Sequence, residues 1–213
     1  MTEELEILKK AWKNDTHSYA QVTEIQIYDM IHKRSSSIVK WILVISLIEL
    51  VVWSAISLLY VDDEYIKTIE LYQLDTLFKI VGIINYGVIF YFIFRFYKNF
   101  KTISTTENIR NLMKSIINTR KTVQYYIWYN LGMFTLIFIT VVISQIIYDP
   151  NLNQIIEQTK NSFPRSFWFI IGMTYVALFA ITLGLFWLFY KLIYGFLMKR
   201  LYRNYEELKK MEY

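Results

Sequence analysis

The chain has 213 residues, 55% of them hydrophobic, and carries 23 Lys and Arg against 18 Asp and Glu for a formal net charge of +5. A soluble domain is about 45–50% apolar; here the excess is gathered into runs of roughly twenty residues, the length that crosses a bilayer. The absence of cysteine excludes disulfides and thiolate metal sites.

Residues 1–40 read as a helical N-terminal segment on the cytoplasmic side. Thr2 can cap a short helix carrying Leu5, Leu8 and Trp12, residues 14–20 read as a turn, and Thr23 opens a second helix with Ile25, Tyr28 and Ile31 on one side. This second helix is expected to run through residues 33–37 into the first span. Its apolar stripe, beside basic residues, lies either on the lipid surface or against other cytoplasmic parts of the same chain; the second reading is preferred. No apolar run precedes position 38, so no cleaved leader is expected and the first span directs insertion.

Four spans follow, at 41–60, 77–97, 125–148 and 167–190. At 1.5 Å per residue each covers the roughly 30 Å hydrocarbon core, and none shows the polar stripe of a helix that faces water. An acidic outer loop at 61–76, a basic cytoplasmic segment at 98–124, an outer loop at 149–166 and a cytoplasmic tail at 191–213 complete the chain. The last helix is expected to continue to Met198. The predicted fold class is all-α, an integral membrane four-helix bundle with short cytoplasmic helices.

Lys and Arg fix the direction of the spans. Residues 1–40, 95–122 and 191–213 hold 19 of them, and the loops 61–79 and 148–166 hold 4. Loops rich in Lys and Arg stay in the cytosol, which places both termini and the middle segment there. Trp41, Tyr97, Tyr125, Tyr126, Trp128, Tyr190 and Tyr194 then form an inner aromatic belt, and Tyr60, Tyr148 and Trp168 an outer one. The positive-inside pattern accounts for the basic balance, and nucleic acid is not expected as a partner.

The middle segment carries the pattern Ser104 to Glu107 of a capping box. Beyond it Ile109, Leu112, Met113, Ile116 and Ile117 recur at helical spacing beside Arg110, Lys114, Arg120 and Lys121. This is an amphipathic basic helix leading into the third span, a candidate surface for anionic lipid or for a cytoplasmic partner. The tail places Leu201, Tyr205 and Leu208 on one stripe.

Glu49 is the acidic residue that falls inside a span. It lies about 12 Å past Trp41, where an acidic side chain costs on the order of 3 kcal/mol. The Ile, Leu and Val residues of the same span contribute about 0.5 kcal/mol each, so the helix inserts and Glu49 must face protein or water. Ser46, Glu49, Trp53 and Ser57 share one face, expected to look inward. Asn130 and Thr182 lie at comparable depth and Asn85 somewhat further out, each a candidate hydrogen-bond donor to the carboxyl group. The first role expected is an interhelical bond that fixes helix rotation; the alternative is a proton relay or ion path. Ala177, Ala180 and Gly184 are expected to form a close helix contact.

No Gly-rich phosphate loop, His-x-x-x-His pair or Gly-x-Ser-x-Gly elbow occurs. His17 and His32 are expected at the surface, and neither a metal nor a cofactor is expected. The stretches Lys33–Trp41 (KRSSSIVKW) and Thr119–Asn130 (TRKTVQYYIWYN) resemble small four-span membrane proteins of Bacteroidota, the flavobacteria included, over nearly the whole chain. The resemblance implies a multi-pass protein of a bacterial cytoplasmic membrane and brings no defined site. Some such proteins carry the label beta-carotene 15,15′-monooxygenase, an enzyme similar to a large β-propeller with a four-histidine iron site; two histidines cannot supply one. The function expected is a non-enzymatic interaction or regulatory role in which the basic surface meets the lipid bilayer and a cytoplasmic or membrane protein, a second copy of the chain included. The alternative is a minor transporter or channel that uses Glu49.

Overall fold

A computed structural model describes residues 6, 9–10, 23–59, 61–159 and 166–212. The short helix expected around Leu5, Leu8 and Trp12, together with His17 and Tyr60, lies outside the described residues, as does the side chain of Trp168. The apolar runs become four long helices, α1 (Glu24–Leu59), α3 (Asp75–Thr105), α4 (Ile109–Tyr148) and α6 (Ser166–Met211). Two short ones, α2 (Asp63–Leu71) and α5 (Pro150–Thr159), lie in the connections at the far end from the termini. The four long helices are long and apolar enough to cross a membrane, and no strand occurs among the described residues. The chain is an all-α membrane protein.

Successive long helices run antiparallel. Around the bundle the order is α1, α3, α4, α6, each packing on the next and α6 closing on α1. One end therefore collects the start of α1, the end of α6 and the α3–α4 turn; the other collects α2 and α5. We call these the termini end and the hairpin end.

The helices overrun a bilayer at the termini end. The 36 residues of α1 extend about 54 Å and the 46 of α6 about 69 Å, against a core of roughly 30 Å. The last helix reaches Met211, well past the expected Met198. The basic segment 98–124 is not one separate helix: its first part ends α3, residues 106–108 turn, and the rest begins α4. The capping box expected from Ser104 to Glu107 does not form. The Ser104 and Thr105 hydroxyls donate back to the Lys101 carbonyl inside α3, and the Asn108 side chain caps α4 by accepting the Arg110 N–H at 2.9 Å. Thr23 does cap α1, in reciprocal exchange with Gln26.

Buried positions recur every seven residues in register with this packing. On α1 they are Ser35, Ile42 and Glu49 with Ile31 and Ile38; on α4 Leu112, Thr119 and Tyr126 with Ile116 and Val123; on α6 Tyr194, Leu201 and Leu208. A seven-residue repeat keeps one seam facing the partner helices along a supercoiled bundle. The stripe of Leu112, Met113 and Ile116 is thus used inside the bundle, and the residues around Ile31 likewise pack on the chain's own segments. His32 and Tyr28 bind the end of α3: His32 Nε2 lies 2.6 Å from the Ile103 carbonyl and the Tyr28 hydroxyl donates to the Thr106 carbonyl at 3.0 Å. These carbonyls belong to the last turn and the C-cap of α3, where a helix end is short of internal donors; that of Ile103 also accepts the Thr106 N–H at 3.4 Å. His32 is half-buried against them rather than a free surface residue.

Candidate functional site

Glu49 is the last buried residue of α1 before the helices separate, and it is 8% exposed. Three tyrosines converge on its carboxylate. The Tyr190 hydroxyl donates to Oε1 at 2.6 Å, and the hydroxyls of Tyr126 and Tyr194 donate to Oε2 at 2.9 and 3.1 Å. Tyr126 comes from α4; Tyr190 and Tyr194 come from α6, four residues apart and so on one face. Phe92 and Phe96 of α3 close the layer edge-on against Tyr126. All four long helices meet at this level.

An ionised carboxylate accepts all three hydroxyl protons at once. Among the described residues no Lys, Arg or His forms an ion pair with Glu49.

Toward the hairpin end the helices part and leave a cavity of about 360 Å³ with Glu49, Tyr126 and Tyr190 at its floor. Trp53, Tyr86, Phe134 and Phe186 supply aromatic walls, and Ser54, Ser57, Asn85 and Asn130 supply polar ones. Toward the termini end Ile42, Phe96, Val123 and Tyr194 are buried and closely packed. Among the described residues the cavity lies on the hairpin side of Glu49.

The residues expected around Glu49 are distributed differently from the sequence reading. Asn85 and Asn130 reach the cavity wall, but the Asn85 amide oxygen accepts from the Tyr129 hydroxyl at 3.0 Å and the Asn130 amide donates to the Tyr126 carbonyl at 2.8 Å. Thr182 donates to the Leu178 carbonyl of its own helix, and Ser46, buried one turn from Glu49, donates to the Leu43 carbonyl. None of the three candidate donors binds the carboxylate. Tyrosine hydroxyls do, because a phenol on a long rigid arm reaches across the bundle where an amide or threonine hydroxyl on a neighbouring helix falls short. Tyr126, Tyr190 and Tyr194 do not belong to the inner aromatic belt; they are buried in the bundle, whereas Trp41, Tyr97, Tyr125 and Trp128 stay exposed at that level. The seven-residue repeat is the signal that separates the two sets.

Of the basic candidates, Arg110 is exposed and pairs with Glu212 at 3.2 Å. Arg120 stacks its guanidinium 4.4 Å from the centre of the Tyr202 ring, and Lys114 and Lys121 are exposed. Gly184 makes no close helix contact: a side-chain carbon added there would meet nothing within 4 Å. Among the described residues no cluster of three His, Asp or Glu could hold a metal ion.

The bundle and its buried carboxylate define an all-α, four-span membrane protein with a cavity beside that carboxylate. The chain belongs to the family described as a domain of unknown function (DUF8845), which matches residues 25–213. No curated protein and no solved structure matches it.

Proposed function

We propose that this is a non-enzymatic protein of a bacterial cytoplasmic membrane, with both termini in the cytosol, that binds a small organic cation against Glu49. One observation carries the reading: a buried carboxylate, held by tyrosine hydroxyls and by no basic side chain among the described residues, forms the floor of an aromatic-walled cavity. A buried charge is costly unless paired, and an organic cation would supply the missing partner. The faces of Trp53, Tyr86 and Phe186 suit it, because aromatic quadrupoles stabilise positive charge in a poorly hydrated site. The volume of about 360 Å³ lies within the range of small-molecule pockets. The skew of Lys and Arg supports the orientation, which places the cavity on the outer side of Glu49.

The test is a titration of benzyltrimethylammonium into the protein in lipid nanodiscs, read by Trp fluorescence and calorimetry. Saturable binding is expected, with at least a tenfold loss in Glu49→Gln. Equal binding by both proteins, or none by either, overturns the reading. Flux of the same cation into proteoliposomes driven by a pH gradient would extend it from binding to carriage.

The basic end supports a second role that is compatible with the first. With its apolar stripe used internally, the face around Lys114 and Lys121 is left as a charged surface, suited to an acidic protein partner or to anionic lipid.

A further inference from the structure

On the outside of the bundle α4 and α6 leave a groove that begins among basic residues. Its first part, about 490 Å³, is lined by Arg120, Lys121 and Lys191 and by the apolar Trp128, Leu131 and Trp187. The same three apolar residues begin a second part of about 580 Å³, which continues past Gly132 and Thr135 along α4 and as far as Val176 on α6. The two parts are one groove, cationic at the termini end and apolar beyond. From Arg120 to Thr135 the helix rises about 22 Å. Half of a roughly 30 Å core plus one headgroup layer has a similar depth. The groove matches one lipid leaflet.

Among the described residues its cations form no ion pair. Arg120 lies over Tyr202 and Lys191 over Trp187, each 4.4 Å from the ring centre. What sets these cations apart is that three of them border one groove with a continuous apolar floor. We infer that the groove holds one anionic glycerophospholipid, its phosphate against Arg120, Lys121 and Lys191 and an acyl chain along Trp128, Leu131 and Trp187. Charge complementarity selects the headgroup, and the continuous apolar floor selects a molecule with a chain over a free anion. This is a site for a single lipid rather than a general attraction of a basic surface to a membrane. Tyr190 borders both this groove and the Glu49 cavity, but the inference does not depend on what the cavity binds.

The experiment places the protein in nanodiscs of equal phosphatidylglycerol and phosphatidylcholine and counts retained lipids by native mass spectrometry after transfer to detergent. One phosphatidylglycerol per chain is expected. Combined Arg120→Gln, Lys121→Gln and Lys191→Gln should lower its retention on the order of a hundredfold. Combined Lys98→Gln, Lys101→Gln and Lys209→Gln, an equal charge change at exposed positions outside the groove, should leave it intact. Gly132→Leu keeps every charge, and nothing lies within 4 Å of the Cβ it adds; its longer side chain should block the chain path and weaken retention. Equal loss in the two charge variants, retention of phosphatidylcholine to the same extent, a lipid-free dimer, or release of the lipid by inorganic phosphate would each overturn the inference. Unchanged retention in Gly132→Leu would overturn the placement of the acyl chain.

Discussion

The termini half and the hairpin half of the bundle use the same four helices and pack them in opposite ways. Up to Glu49 on α1, from Phe92 onward on α3, up to Leu131 on α4 and from Tyr190 onward on α6, the seam is filled by buried side chains. On the hairpin side of that layer these helices present Ile56, Ile83, Ile139 and Ile181 outward, each at least 39% exposed. In water such surface is unstable, whereas against lipid tails it is already solvated and gives the helices little reason to close. Tight packing is needed where the helices leave the lipid and must build a core in water. Glu49 and its tyrosines sit at the change from one regime to the other, which lets a charged group be both buried and reachable.

The largest expected effect tests that layer. Glu49→Ala leaves three tyrosine hydroxyls without their acceptor, at about 1–3 kcal/mol for a buried unsatisfied group; cavity water relieves some of this. A loss of about 3 kcal/mol in unfolding free energy is expected in detergent, with Glu49→Gln in between because its amide oxygen still accepts. If Glu49→Ala is as stable as the parent, the tyrosine cluster does not join the halves.

Paired truncations measure the contrast directly. Leu201→Ala, at a fully buried seam position, should cost about 2–5 kcal/mol through lost contacts and a cavity. Ile139→Ala, 51% exposed in the lipid-facing half, should cost less than about 1 kcal/mol, because a lipid chain replaces the lost methyl contacts. Similar losses at both positions would mean that the hairpin half packs as tightly as the other.

The two regimes also account for which features are legible in the sequence. Four spans and an odd carboxyl are visible because a long apolar run, and a charge inside one, are each expensive in any setting but a membrane protein. The stripe of Leu201, Tyr205 and Leu208 is legible, but its continuity with α6 past Met198 is not, because the mixed charge of the tail reads as a separate segment. Read by spacing, Tyr194, Leu201 and Leu208 are seven apart and continue the seam out of the membrane. The role of the tyrosines is hidden for a related reason: near a basic boundary an aromatic fits the headgroup layer and the bundle interior equally well. Only helix rotation separates Tyr125, exposed to lipid, from Tyr126, buried on Glu49, and rotation is written in the repeat rather than in the residue type. Asn204 marks how narrow the seam is: its amide donates to Ser35 at 2.9 Å while its oxygen finds no partner.

The smallest expected effect lies at the hairpin end, where one carboxylate ties the loops together. Asp149 accepts the N–H groups of Leu152 and Asn151, and the Tyr72 hydroxyl donates to it at 2.8 Å. The Leu152 N–H first, then the Tyr72 hydroxyl, hold its carboxyl below the usual carboxylate range. A pKa lowered by folding stabilises the folded form fully above the unfolded value, about 3.9 for Asp, and the contribution disappears as pH falls through the lower folded value. Acid should therefore loosen α5 and the α2–α3 connection below about pH 4. Tyr72→Phe removes one of the bonds, at about 1 kcal/mol or less, and moves that loosening to higher pH because the folded carboxyl returns toward its ordinary value. Hydrogen exchange along 150–159 against pH reads both effects. The termini half has no share in this contact, so its amides should stay protected while those of α5 open. Simultaneous loss of protection at both ends would show that the bundle opens as one unit and that the boundary at Glu49 separates packing but not stability.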